Sequence, residues 1–188
     1  MKNNSNIAIS KLKKRCSDIL KNKYIDIQKL DELEKDCLTQ LQHTNTKITK
    51  CIDLFNTLIS DIKALLLREF DDKSLIIYSK IVSTVIDVSP TKPITLFAIN
   101  IYANETYLEK IQNGDDDFFL QPNSIRQNDD KALEIMFKFR EYWPRLSDDN
   151  KEYIKNAMKS LINIVEMYII SKDDGNIVTE ILLQVGCN

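Results

Sequence analysis

Glycine and proline are scarce in this chain of 188 residues, with three glycines, at 114, 175 and 186, and four prolines, none before Pro90. A sheet protein draws on both residues for its tight turns, so their absence from the whole amino-terminal half excludes that class and predicts an all-α fold. Histidine is scarcer still. With His43 alone, one chain can form neither a His-based catalytic triad nor a histidine cluster for zinc. Three scattered glycines give no phosphate-cradling loop. No run of about 18 apolar residues occurs, and the opening MKNNSNIAISKLKKRC lacks the apolar core of a signal peptide. The expectation is a cytoplasmic chain without a membrane contact, its four cysteines reduced.

What is present is ordinary for a folded protein: 43% apolar and 29% charged residues, too hydrophobic for a disordered chain. The net charge of −2 conceals an asymmetry, because residues 1–50 carry a balance of +5 and the remainder −7. Isoleucine, lysine and asparagine are abundant; their codons are AT-rich, which reports on the genome and not on mechanism.

Before Pro90 the apolar residues recur in steps of four and three. One class runs Leu20, Ile27, Glu34, Leu41, Ile48, Phe55, Ile62, and the other Cys16, Lys23, Leu30, Cys37, Thr44, Cys51, Leu58, Leu65; 12 of these 15 are apolar. This is a heptad signal, and a continuous helix over residues 16–65 would be roughly 75 Å long. Up to residue 48 the flanks are polar (Ser17, Asp26, Asp31, Gln40), the narrow seam of a coiled coil; from Cys51 onward Ile52, Leu54, Ile59 and Leu66 widen it to a core-facing surface. The reading is a long N-terminal coiled-coil-like helix, residues 1–70, joined to a C-terminal helical bundle, residues 71–188. Poor helix formers at 43–46, His-Thr-Asn-Thr, are the weak spot at which a helical hairpin is the alternative, although the periodicity persists across them and favours a continuous helix.

Within the bundle, residues 71–88 read as a helix capped by Ser74, Pro93 as the first turn of a helix ending at Gly114, DDDFFLQPNSIRQN as a loop, and residues 129–142 as a further helix. Trp143-Pro144 ends that helix, since proline removes a backbone donor and disfavours helical geometry before it. Ser147 caps the next helix, with Asp148 and Asp149 at the positive end of its dipole. The chain's single tryptophan is thus a corner residue, buried with Phe137 and Met158, in preference to an exposed recognition side chain. Lys-Asp-Asp-Gly at 172–175 echoes a calcium loop. Aligned on its glycine, however, the loop would need ligands at Ile170 and Ile181, which cannot bind calcium, so a helix cap and turn is expected there. Asp115, Asp116 and Asp117 read as a solvated acidic loop.

The stretches ITLFAINIYANETYLEKIQNGDDDFFL and FREYWPRLSDDNKEYIKNAMKSLINIVEMYI, within residues 93–170, carry aromatic and apolar landmarks that resemble a helical module of uncharacterised proteins from large and giant DNA viruses. The resemblance implies a viral origin, and a place in the host cytoplasm or virion; it implies no activity and transfers no functional residues.

Two surface features remain. Cys16, Cys37 and Cys51, spaced by 21 and 14 residues, share one heptad class. They read as small apolar seam residues, with interchain disulfides the alternative if a parallel dimer left reducing conditions. Lys14, Lys21 and Lys35 share one outer class and Arg15 and Lys29 its neighbour, a basic ridge interrupted by Asp18 and Asp36. Weak nucleic-acid contact at most is expected of it. The function that follows is a non-enzymatic assembly or scaffold protein without catalytic residues, cofactor or metal. It would self-associate as a parallel dimer, or pair with another coiled-coil protein, along Leu20, Ile27, Leu30, Cys37, Leu41 and Ile48. The alternative is a nucleic-acid-binding protein using Lys14, Arg15, Lys21, Lys29 and Lys35.

Overall fold

The computed structural model describes residues 2–21, 26–120 and 139–185. Among them the structure is all-α, with no strand. Helices α1 (Lys2–Lys21), α2 (Ile27–Glu69) and α3 (Lys73–Val88) are followed by α4 (Lys92–Phe97), a π-helical turn (Ala98–Tyr102), α5 (Glu105–Asn113) and α6 (Asp117–Leu120). After residues 121–138 come α7 (Phe139–Tyr142), a 3-10 turn (Trp143–Arg145) and α8 (Asp148–Gln184). The chain forms two compact units, one of residues 1–50 with 167–188 and the other of residues 51–166. The sequence pattern places a single boundary at 70/71; the structure divides the chain at 50/51 and 166/167, within α2 and α8.

The first unit is built on aliphatic residues of three helices. Ile9, Leu12, Cys16 and Ile19 of α1 meet Leu33 and Cys37 of α2 and Val178, Ile181 and Leu182 of α8, with Leu30, Leu41, Ile177 and Val185 at the margin. The rod therefore ends before α2 begins at Ile27, not at residues 43–46, through which α2 runs unbroken. The two threonines there bond back to the preceding turn. Thr44 Oγ1 donates to the Gln40 carbonyl and Thr46 Oγ1 to the Gln42 carbonyl, each at 2.9 Å, so the buried Thr44 leaves no hydroxyl unpaired. Opposite it lies Gly175, where a Cβ would stand 3.4 Å from the Thr44 methyl. The expected cap and turn at 174–175 is therefore corrected: α8 continues through to Gln184, and the glycine lies within the helix, facing Thr44.

The second unit relies on short elements, caps and rings. Asn56 donates to the Pro90 carbonyl at 2.9 Å and Lys63 to Ser83 Oγ at 2.6 Å, fixing α2 to the turn after α3 and to α3 itself. The cap of α3 is Asp72, whose carboxylate accepts from the Ser74 N–H at 2.7 Å; Ser74 lies inside the helix. Pro93 occupies the first turn of α4, as its missing donor requires. The helix expected from Pro93 to Gly114 is interrupted by the π turn, closed by Ala103 N–H to Ala98 carbonyl at 3.0 Å, and restarts at Asn104, which caps the Tyr107 N–H. Gly114, at φ 69°, ends α5 in the left-handed conformation that glycine tolerates. The expected loop after it is instead partly helical, and α6 buries Phe118 and Phe119. Of the helix expected over 129–142, α7 is the described part; Phe137 lies outside the described residues.

Candidate functional site

Two places concentrate polar chemistry. The first lies in the first unit, where Lys29, Glu32, Lys35 and Asp36 of α2 face Arg15, Asp18 and Ile19 of α1 across an open cavity of about 680 Å³. Arg15 pairs with Asp36, and Lys29 Nζ lies 3.1 Å from Asp26. The hydrogen bonds from Lys29 hold the Asp26 carboxyl below its ordinary value. These pairs are well exposed to water, where solvent screening leaves them little weight in stability.

Of the five basic residues singled out in sequence, the structure brings Arg15, Lys29 and Lys35 to this groove and leaves Lys14 and Lys21 exposed elsewhere on α1. The ridge is not continuous, because α1 and α2 are separate helices. In the groove its three cations alternate with three carboxylates. A polyphosphate entering would meet as much negative charge as positive, whereas a mixed-charge helix surface would find partners for both signs.

The seam residues divide as well. Cys37 is fully buried in the intrachain core, with Leu30, Leu41 and Ile48 half-buried, while Leu20 and Ile27 are exposed. Lys23 lies outside the described residues. Ile19 takes the inward position expected of Leu20, one residue and so about 100° around the helix. Within the first unit, residues of α1 and α8 pack around Cys37, so parallel pairing along residues 16–50 would have to displace them. Leu33 was the missed core residue of α2. Its signal was Glu34, a charge in a seam position beside an unassigned leucine. A straight helix drifts about 20° per heptad, enough to pass the inward place to a neighbour. Ile9 and Leu12, upstream of Cys16, continue the same three-four spacing and were legible.

Cys16, Cys37 and Cys51 are all buried thiols. Burial pushes the Cys16 thiol above its ordinary value, and it lies 3.7 Å from Gln184 Oε1. The burial of all three thiols is that of small apolar core residues.

The second place is the tryptophan corner of the second unit. Trp143 is 1% exposed and stacks on Phe119 with centroids 3.8 Å apart and planes 13° from parallel. Phe118 meets Phe119 edge-on at 5.0 Å, and Tyr107 meets Phe118 at 5.7 Å. Lys155 Nζ sits 2.6 Å from Asp116 and 6.0 Å from the indole ring centre. Lys155 holds the Asp116 carboxyl below its usual range, while the buried indole N–H has no hydrogen-bond partner among the described residues. Beside this cluster Tyr142 donates to Asp72 at 2.9 Å, meets Phe70 at a tilt with centroids 5.0 Å apart, and has its phenol pushed up to about 12, by burial first and by Asp72 second. The tryptophan is a core residue, as expected, with Met158 also buried; its stacking partner is Phe119, which the sequence reading left in a loop.

Among the described residues no group of three or more His, Cys, Asp or Glu side chains is placed to hold a metal ion, and no helix is long and apolar enough to cross a membrane. No protein-family model, curated protein or solved structure matches the chain.

Proposed function

We propose that the protein is a non-enzymatic assembly component that associates through coiled-coil-type pairing of helix faces, with copies of itself as the first partner. One observation carries this reading: α3 presents Ile77 at 58%, Ile81 at 37% and Val88 at 80% exposure, β-branched side chains in the spacing of a pairing seam. The long periodic seam of α2, expected to do this work, is occupied within the chain, so the contact moves to a face that the fold leaves open. The resemblance of residues 93–170 to helical proteins of large DNA viruses supports a viral setting for the assembly, in the host cytoplasm or virion. Light scattering on the full chain across a concentration series tests the reading: mass rising with concentration supports self-association, and a constant monomer mass contradicts it.

Nucleic acid is the second reading, favoured by the exposure of Lys14, Lys21 and Lys35. The alternating charges of the groove predict weak binding without sequence preference, lost near physiological salt. Anisotropy with duplex and single-stranded probes at two salt concentrations checks it, and submicromolar binding at about 0.15 M salt would make nucleic acid the principal partner.

A further inference from the structure

We infer that the partner of α3 is α3 of a second copy, running antiparallel, with Lys80 of each chain paired to Asp87 of the other. This inference rests on the self-association reading and adds to it the face, the orientation and the register.

The exposed residues Ile77, Ile81, Thr84 and Val88 follow one another in steps of four, three and four, which lays them in a single stripe along the helix. The opposite face is already used: Leu75 and Val82 are buried, and Ser83 accepts the hydrogen bond from Lys63. A stripe of three aliphatic residues and a threonine hydroxyl that is itself bonded to the Lys80 carbonyl has no polar group left to desolvate. It is therefore suited to a dry helix partner.

Orientation follows from charge. In heptad terms Ile77 and Thr84 take one seam class and Ile81 and Val88 the other, so antiparallel pairing stacks Ile77 on Val88 and Ile81 on Thr84 of the second copy. The position before each member of the second class flanks the seam, and it holds Lys80 and Asp87. In the antiparallel register these two flanking positions face each other across the interface, which gives two symmetric Lys80–Asp87 pairs. Neither side chain makes an ion pair among the described residues. The other flanking class puts Tyr78 beside Val85 of the partner, ring against aliphatic. Parallel pairing brings each seam residue onto its own copy and offers Lys80 and Asp87 no opposite charge at this distance.

Sedimentation equilibrium of the full chain between about 5 and 500 µM tests the pairing. The variants are Ile77→Lys, Lys80→Glu, Asp87→Lys and the double exchange Lys80→Glu with Asp87→Lys, each checked for unchanged helicity. These side chains are exposed, so the fold tolerates them. Ile77→Lys should weaken the dimer by more than about tenfold, and each single charge reversal by about tenfold, since both symmetric pairs become repulsive. The double exchange should restore it to within about threefold. A wild-type chain that associates but ignores Ile77→Lys overturns the choice of α3 and leaves self-association standing. Loss in both single reversals without recovery in the double exchange overturns the antiparallel register. A chain that stays monomeric throughout the range overturns both this pairing and the reading beneath it.

Discussion

The two units bury their interiors by different means. The first joins three helices through a clustered core of isoleucine, leucine, valine and cysteine drawn from residues far apart in the chain, Ile9 to Leu182. The second also buries aliphatics such as Ile62, Val82, Ile154 and Leu161, and adds to them Phe55 of α2 and Phe97, Phe118, Phe119, Tyr142 and Trp143 of short elements. Phe55 meets Phe97 edge-on at 5.4 Å, and Trp143 lies flat on Phe119. An aliphatic helix seam distributes its stabilisation over many equivalent contacts, whereas an aromatic corner concentrates it in a few large side chains.

The largest consequence is in the second unit. Trp143→Ala removes the stacked ring beneath the corner and should cost about 3–5 kcal/mol; Leu33→Ala in the first unit should cost about 2–4 kcal/mol, the spread depending on how far α1 and α8 can close the gap. Thermal or urea unfolding of both variants checks the order. Equal small losses would erase the distinction between concentrated and distributed cores.

A pair of glycines sharpens the comparison at about 1 kcal/mol. Gly114→Ala forces a side chain into the left-handed region at φ 69° and should destabilise by about 1 kcal/mol. Gly175→Ala lies within a helix with its Cβ in ordinary contact with the Thr44 methyl, so improved helix propensity should stabilise by up to about 1 kcal/mol. Opposite signs in one unfolding assay support the difference in role; a loss at Gly175 would mean that α2 and α8 approach too closely for any added atom.

Acid gives the smallest effect, and the second unit offers the clearest test of it. Asp72 is held below its ordinary range first by the Tyr142 hydroxyl and then by the Ser74 amide, and Asp116 first by Lys155. A carboxyl with a depressed folded value stabilises above its unfolded value of about 3.8 and loses that contribution as pH falls through the folded one. Tyr142→Phe should therefore lower Tm slightly at neutral pH, and the gap from wild type should narrow below about pH 4. A gap independent of pH would mean that the Tyr142–Asp72 bond has no thermodynamic weight.

The all-α class was legible because it depends on what the chain lacks near its amino end, and the caps at Pro93, Gly114 and Ser147 because capping chemistry is local. Asn150 N–H to Ser147 Oγ at 3.3 Å and the two acids after it open α8 as read. Partners were not legible. Heptad spacing says that one face of a helix is apolar and is silent on whether the covering helix comes from another chain or, as with Val178 and Ile181, from residues more than a hundred positions onward. Nor did DDDFF reveal that its phenylalanines would be drawn inward, because ring stacking on Trp143 is a tertiary gain that overrides a loop-like local sequence. Gly175 was misread for the same reason: glycine at a helix end and glycine at a helix crossing look alike until the crossing helix is known. In the groove, Arg15 and Asp36 meet only because α1 folds back along α2.

Residues of α1 and α8 pack on Leu33 and Cys37 of α2 within one chain, and thiol protection measures this directly. Maleimide labelling of the native protein, read cysteine by cysteine by mass spectrometry over a hundredfold dilution, separates intrachain from interchain burial, because only the latter obeys mass action. Cys16 and Cys37 should stay protected, at the same rate, at every concentration. Protection of Cys37 that disappears on dilution would show that a second chain covers the seam, and would contradict the account.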